Sequence, residues 1–270
     1  MEDLPSMDVQ RVDVDLGLAH SWGAGPEVIF LSSPLADPVS WSTGVRSDLL
    51  ALGYQVTTFE HRPQQLDWRN AVASVDDFIA RRPEPVALIG WSQGAAIAQE
   101  AALMAGDRVR CAALLATYGR RNEFDRILQE AWQRLGASGD DLDSLRLALG
   151  LLTAFAPERL ADDDFVHHMK KIQADWAGVP APEARRRAAT FISTYQGRLP
   201  FLAHMTVPCL VIGFELDVDT CAARAREVAR ALPNAEYIEI PGLAHAAPVS
   251  DPEHVWPPVV DFLKRHHPAS

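Results

Sequence analysis

Short apolar runs alternate with helix-forming segments along most of the chain. Runs as long as a buried strand occupy residues 28–31, 54–59, 86–89, 110–117, 207–213 and 235–240. Helical periodicity follows most of them, at residues 41–52, 67–82, 95–104, 220–232 and 252–265. Residues 9–22 alternate apolar and polar positions and predict one or two earlier strands. Because strands that alternate with helices pair in parallel through right-handed crossovers, the predicted fold class is α/β, with a mostly parallel, doubly wound sheet.

Residues 119–199 interrupt this alternation. Their sequence indicates helices and no convincing strand, with helix-like segments near 121–136, 141–155, 158–177 and 182–196. A stretch of this length is too long for a loop inside a domain. We therefore expect a core made of residues 1–118 and 200–270, and a helical insertion at 119–199.

The composition and net charge indicate which kinds of binding partner are not expected. The chain has 270 residues, a hydrophobic fraction of 48%, and a formal net charge of −11. A surface with this charge disfavours nucleic acids and other polyanions. The densest basic run, Arg185-Arg186-Arg187, is expected to be the solvated face of a helix. No run approaches the ~20 apolar residues that span a bilayer, so no membrane partner is expected.

The cysteines and the N-terminus predict a cytoplasmic protein. Cys111, Cys209 and Cys221 have neither metal nor redox spacing, and they imply no disulfide framework. The acidic start of the chain, at residues 1–5, is followed by no apolar segment of the kind that a secretory signal contains.

One pentapeptide lies where an apolar run meets an alanine-rich helix. It is Gly90-Trp91-Ser92-Gln93-Gly94. G-x-S-x-G arises by chance in roughly one in ten chains of this length, so its context decides its meaning. A serine at a sharp strand-to-helix turn has a strained backbone that presents its hydroxyl to substrate, and the glycines keep Cβ atoms out of the crossing. The flanking strand and helix favour a nucleophilic Ser92.

A serine nucleophile needs a base and an orienting carboxylate. His245 follows the last predicted strand, and Asp217 follows the strand that ends at Gly213. Both are therefore predicted at the carboxyl edge of the sheet, together with Ser92. Asp219 and Glu215 are close rivals for the acid, since the sequence does not separate acids on one loop. The order Ser, Asp, His is that of the nucleophile-elbow fold.

These residues together resemble the α/β-hydrolase fold over nearly the whole chain. The segments that carry the resemblance are the pentapeptide at 90–94, residues 207–217 and residues 240–245. The resemblance implies Ser92 as nucleophile, His245 as base, Asp217 as acid and the Gln93 N–H as an oxyanion donor. It also implies that residues 119–199 form a helical cap. The general outline resembles that of small esterases, lactonases, thioesterase-like enzymes and cofactor-free haloperoxidases.

The loop after the first core strand departs from the family pattern. Counting back from Trp41, which matches a tryptophan common in the family, Ser32 and Ser33 replace the usual His-Gly. Pro34 then occupies the position of the second oxyanion donor, and proline has no N–H. The Ser33 N–H, its hydroxyl, or Leu35 supplies that hydrogen bond, or the chemistry needs no such hole. Trp91, beside the nucleophile, is expected to pack beneath it.

No metal or cofactor is expected. His167-His168 and His266-His267 are adjacent pairs, and adjacent residues on a helix face different ways. The predicted function is a serine hydrolase that cleaves an ester, lactone or thioester with an apolar moiety through an acyl-enzyme. The alternatives are a non-hydrolytic isomerase, epimerase, cyclase or lyase of secondary metabolism on the same fold, and a non-catalytic ligand-binding accessory protein.

Overall fold

Eight strands form a single sheet in the computed structural model, which describes residues 10–14, 17–33, 41–61, 67–137, 142–175 and 194–269. The strands are β1 (Gln10–Val14), β2 (Gly17–Trp22), β3 (Glu27–Leu31), β4 (Gln55–His61), β5 (Val86–Trp91), β6 (Val109–Leu115), β7 (Cys209–Phe214) and β8 (Ala235–Ile240). Arg185-Arg186-Arg187 and most of the helix predicted at 182–196 lie outside the described residues.

The sheet order is β1-β2-β4-β3-β5-β6-β7-β8. Among these strands only β2 runs in the opposite direction, since it pairs antiparallel with β1 and β4 while all other pairs are parallel. Parallel strands share one carboxyl edge. The residues that follow β5, β7 and β8 therefore meet at that edge, as the sequence predicts.

Helices connect the strands and cover both faces of the sheet. They are α1 (Thr43–Ala51), α2 (Trp68–Ala80), α3 (Gln93–Ala105), α4 (Glu123–Ala137), α5 (Asp143–Ala154), α6 (Pro157–Leu160), α7 (Asp163–Asp175), α8 (Leu199–Leu202), α9 (Ala222–Ala231), α10 (Ala247–Ser250) and α11 (Pro252–His266). None of these described helices has the length and apolarity needed to cross a bilayer.

Alternate side chains of each central strand enter two separate cores. Val28 and Phe30 pack with residues of α1 and α11, whereas Ile29 and Leu31 pack with residues of α2, α3 and α9. Both faces of β3 are therefore buried, which is why its sequence is continuously apolar instead of alternating. The α/β class and the doubly wound sheet are confirmed.

The described residues between β6 and β7 contain helices and no strand, which agrees with the predicted helical character of 119–199. In the helix-like segment expected near 158–177, α6 ends at Leu160 and α7 begins at Asp163. The Asp162 carboxylate accepts the N–H groups of Asp164 and Phe165, and this cap starts a new helix. The division of the chain into a core and a cap domain stays a prediction.

Candidate active site

Ser92 lies at the turn between β5 and α3. Its backbone has φ 58° and ψ −121°, a left-handed conformation that a residue with a side chain rarely adopts. The Ser92 N–H donates to the Leu115 carbonyl of β6 at 2.9 Å, which fixes the turn against the sheet. Strain at one residue persists only where its surroundings hold it, and such residues concentrate at functional sites.

The glycines of the pentapeptide are there because the backbone passes too close for a side chain. A Cβ on Gly90 would lie 2.5 Å from the Ala95 Cα, and one on Gly94 would overlap the Leu31 carbonyl oxygen. The elbow thus packs α3 directly onto β3 and β5. This close packing gives the sequence spacing of the two glycines its physical reason.

Asp217 and His245 form a hydrogen-bonded pair at the same edge of the sheet. His245 Nδ1 donates to Asp217 Oδ2 at 2.8 Å. The other Asp217 oxygen accepts the N–H groups of Asp219 at 2.9 Å and Thr220 at 2.7 Å. These three hydrogen bonds orient the carboxylate, whose residue is only 3% exposed. Burial raises the pKa of Asp217, and the neighbouring His245 opposes that rise.

The two rival acids have other positions. Asp219 Oδ2 lies 3.5 Å from His245 Nε2, on the opposite side of the ring from Asp217. Glu215 accepts the N–H of Gly242 at 2.9 Å and so holds the turn that precedes the histidine. The geometry therefore gives Asp217 the orienting position. Within the described residues the Ser92 hydroxyl forms no hydrogen bond, so Nε2 faces Asp219 and not Ser92 in this conformation.

Two carboxylates act on one buried imidazole. Burial lowers the pKa of His245, but the charges of Asp217 and Asp219 and the Asp217 hydrogen bond outweigh it and raise this pKa to about 9. This raised pKa favours the imidazolium at neutral pH. A base must be neutral to accept a proton, so Asp219 works against the basic form of His245.

Trp91, the residue before Ser92, also contacts the loop of His245. Its indole Nε1 donates to the His245 backbone carbonyl at 3.0 Å, and the two ring centroids lie 5.6 Å apart. The indole also lies against Trp41, with centroids 5.8 Å apart. Trp91 thus links the strand that carries Ser92 to the loop that carries His245.

Two of the candidate oxyanion-hole residues, Gln93 and Ser33, lie within the described part of the chain. Gln93 is the first residue of α3, so its N–H has no acceptor within the helix and is free to act as a donor. The Ser33 hydroxyl donates to Gln93 Oε1 at 3.0 Å and ties the loop after β3 to the elbow. Pro34 and Leu35 lie outside the described residues, and the choice of second donor stays a prediction.

Ser92 opens into a cavity of about 110 Å³ with a largely polar lining. The residues that line it with Ser92 are Gln93, Arg121, Asp125, Leu128, Gln129, Trp132, Asp219 and Thr220. The sequence pattern did not single out Arg121, Asp125 or Gln129 as site residues. Arg121 could have been found from its position in the loop after β6, because that loop lies at the carboxyl edge of the sheet.

A second pocket, of about 610 Å³, lies beside the same acidic loop and is mostly apolar. Its lining includes Leu152, Phe155, Leu160, Leu216 and Val218. The loop that carries Asp217 contributes to both pockets. Apolar substrate binding, expected from the sequence, therefore has a candidate surface near the pair but not in the Ser92 cavity itself.

Among the described residues, one group brings three ligand atoms close enough for a metal ion, and it lies away from the site. It consists of Asp251, Glu253 and His254. Asp251 in this group already pairs with Arg159 at 2.7 Å. Exposed acidic groups of this kind commonly hold no ion, so the expectation of no metal or cofactor stays a prediction.

Comparison with known proteins identifies the family of this chain. Residues 18–255 match the model of the alpha/beta hydrolase family. The chain belongs to this family. Among other members, it is 31% identical over 250 residues to a protein of Mycobacterium tuberculosis named "Putative non-heme bromoperoxidase BpoC", which covers 89% of this chain and 95% of that protein.

Solved structures of alpha/beta hydrolases agree with the fold. The BpoC crystal structure from Mycobacterium tuberculosis H37Rv matches with a TM-score of 0.83 and 29% identity, over 94% of this chain and 97% of that one. The enol-lactonase of Burkholderia xenovorans LB400 matches with a TM-score of 0.73 and 19% identity, over 94% of this chain and 100% of that one. The second similarity is one of fold alone.

The two carboxylates around His245 predict a pH dependence for this family member. If His245 is the base, kcat/KM for a neutral ester should rise with pH and level off above about 9, where the imidazole becomes neutral. Asp219→Asn removes one of the carboxylates that raise this pKa. We therefore expect the variant's profile to shift to lower pH and its kcat/KM at pH 7 to increase, as measured by initial rates from pH 6 to 10.

Circular dichroism across the same pH range should show that both proteins stay folded. A profile that is identical in wild type and Asp219→Asn would contradict the assignment of Asp219 to His245 Nε2.

Proposed function

We propose that the protein is a serine hydrolase that cleaves a carboxylic ester, lactone or thioester through an acyl-enzyme. The observation that carries the proposal is the strained Ser92 elbow at the same sheet edge as the hydrogen-bonded His245–Asp217 pair. A binding protein has no need of a strained serine beside an oriented imidazole. Membership of the alpha/beta hydrolase family supports an enzyme.

The reaction begins with proton transfer from Ser92 Oγ to neutral His245 Nε2 as Oγ attacks the substrate carbonyl. For this, Nε2 exchanges its contact with Asp219 for one with Ser92. The Gln93 N–H stabilises the oxyanion of the tetrahedral intermediate. The imidazolium then returns its proton to the leaving oxygen or sulfur, and an acyl-enzyme remains.

Water completes the cycle by the same route. His245 accepts a proton from the water molecule that attacks the acyl carbonyl, and returns it to Ser92 Oγ as the acid leaves. Asp217 keeps its charge throughout and holds Nδ1 protonated, so that Nε2 is the nitrogen that exchanges protons.

The name of the 31% identical relative favours a second candidate on the same acyl-enzyme. Hydrogen peroxide in place of water would release a peracid, and the peracid would oxidise bromide to hypobromous acid while it is reduced to the carboxylic acid. This route shares Ser92, His245 and Asp217 with hydrolysis. It would appear as bromination that requires both peroxide and a carboxylic acid or ester.

A fluorophosphonate probe tests the proposed nucleophile directly. We expect one phosphonyl adduct per chain in the intact mass, assigned to Ser92 by peptide mapping, with loss of aryl-ester hydrolysis in proportion to labelling. Heat-denatured protein is the control for non-specific reaction. Folded protein that neither reacts with the probe nor hydrolyses any ester of an acyl-chain series would refute the hydrolase proposal and favour a binding or non-hydrolytic role.

A further inference from the structure

We infer that the Ser92 cavity selects esters whose short acyl group ends in a carboxylate, and that Arg121 binds this carboxylate. The inference rests on the proposed function, since it names the substrate class of the same site. It starts from the charged residues that line the cavity, among which Arg121 is the one cation within the described part of the chain.

Arg121 is held in place before any ligand binds. Its backbone N–H donates to Gln196 Oε1 at 3.2 Å. Its guanidinium carbon lies 4.6 Å from the centroid of the buried Tyr118 ring, in a cation–π contact. A guanidinium positioned in this way loses little further freedom when it binds a carboxylate through two parallel hydrogen bonds.

The charge of Arg121 has no counterpart in the described part of the chain. No described carboxylate oxygen lies within 4.0 Å of its guanidinium nitrogens, and its Nε is buried with no hydrogen-bond acceptor. The adjacent Arg120 differs in this respect, because it pairs with Glu227 at 2.6 Å on the surface. Of the two neighbouring arginines, the one that lines the Ser92 cavity is therefore the one without a carboxylate partner among the described residues.

The acidic residues of the cavity are already engaged elsewhere. Asp125 accepts the Asn122 N–H at 2.7 Å and lies in the first turn of α4, where a negative charge is stabilised by the helix amides. Asp219 faces His245 Nε2. Neither carboxylate forms an ion pair with Arg121 within 4.0 Å, and a ligand anion would complete its hydrogen bonds.

The size of the cavity limits the acyl group. A volume of about 110 Å³, walled by Leu128 and Trp132, holds only a few non-hydrogen atoms beyond the reacting carbonyl. A three-carbon spacer that ends in a carboxylate is a suitable probe of this space. Because the leaving group departs from the carbonyl on the other side, a larger apolar alcohol or thiol is compatible with the mostly apolar pocket beside Asp217.

Two phenyl esters of equal length test the assignment. Monophenyl glutarate ends in a carboxylate where phenyl pentanoate ends in a methyl group. We expect wild type to prefer the glutarate in kcat/KM by about 10²-fold, because a desolvated Arg–carboxylate pair contributes on that order. Arg121→Gln should abolish the preference by slowing the glutarate alone, and Arg120→Gln, the matched control, should leave it unchanged.

Hydrolysis of both esters by a Ser92-dependent route without a preference for the glutarate would overturn the inference and leave the proposed function intact. Equal loss on both esters in Arg121→Gln would also overturn it, since that pattern indicates a structural role. The hydrolysis rate measured with Ser92→Ala is subtracted from every other rate as the background.

A binding measurement keeps the inference testable should hydrolysis fail. Titration calorimetry of free glutarate into protein with Ser92→Ala should give binding that persists with Arg120→Gln and is lost with Arg121→Gln. Glutarate binding without any ester turnover would refute the hydrolase proposal and retain the anion site. If glutarate does not bind to Ser92→Ala, either alone or combined with Arg120→Gln, the anion site is refuted.

Discussion

Ser92→Ala is expected to lower kcat on aryl esters by a factor on the order of 10⁶, because the proposed mechanism has this hydroxyl attack the carbonyl. The residual rate acceleration of the variant should come from substrate binding and from the Gln93 N–H. Alanine removes one oxygen and keeps the backbone of the elbow, whose φ is imposed by the packing of α3 on β3 and β5. Steady-state kinetics on purified protein give the measurement.

Ser33→Ala is the matched serine control for this experiment. Its hydroxyl is engaged with Gln93 Oε1, so its removal should cost at most the 10²–10³ that a single oxyanion donor contributes. Both variants should unfold in urea at the same midpoint as wild type. A folded Ser92→Ala protein with near-normal kcat would show that another group is the nucleophile.

Asp217→Asn should lower kcat by about 10⁴, the scale of the effect when the orienting carboxylate of a triad becomes an amide. Asparagine can keep the oxygen that accepts the Asp219 and Thr220 N–H groups. Its amide nitrogen then faces His245 Nδ1, and two donors oppose each other. The ring adopts the tautomer with the proton on Nε2, which cannot accept the proton of Ser92.

Asp219→Asn provides the contrast, because it lies two residues away and touches the other ring nitrogen. Its kcat should stay close to the wild-type value above pH 9, where His245 is neutral in both proteins. If the two substitutions were to exchange these outcomes, with Asp219→Asn inactive and Asp217→Asn active, the assignment of the acid would be wrong.

The sequence predicted the parts of the site that depend on local backbone geometry. The elbow follows from two glycines spaced around Ser92, an apolar run before them and helix formers after them, and each of these signals lies within a few residues. The positions of Asp217 and His245 at the carboxyl edge follow from strand order, because every parallel strand ends there.

The hydrophobic and polar pattern of the sequence does not determine which way a loop side chain points. Asp217 and Asp219 are equivalent as loop acids in sequence, and only the fold shows that they face opposite nitrogens of one imidazole. Arg121 likewise became a candidate only when the fold placed it in the same cavity as Ser92.

The sequence by itself thus determined the fold class, the strained serine and the order of its partners, because these depend on short-range steric and hydrophobic patterns. The tertiary structure alone decided which acid orients His245, which acid lies against its other nitrogen, and which charged residues share the cavity with Ser92. The physical reason is that hydrogen bonds, desolvation and ion pairing depend on distances between residues far apart in the chain, and those distances exist only after the sheet and its helices have packed.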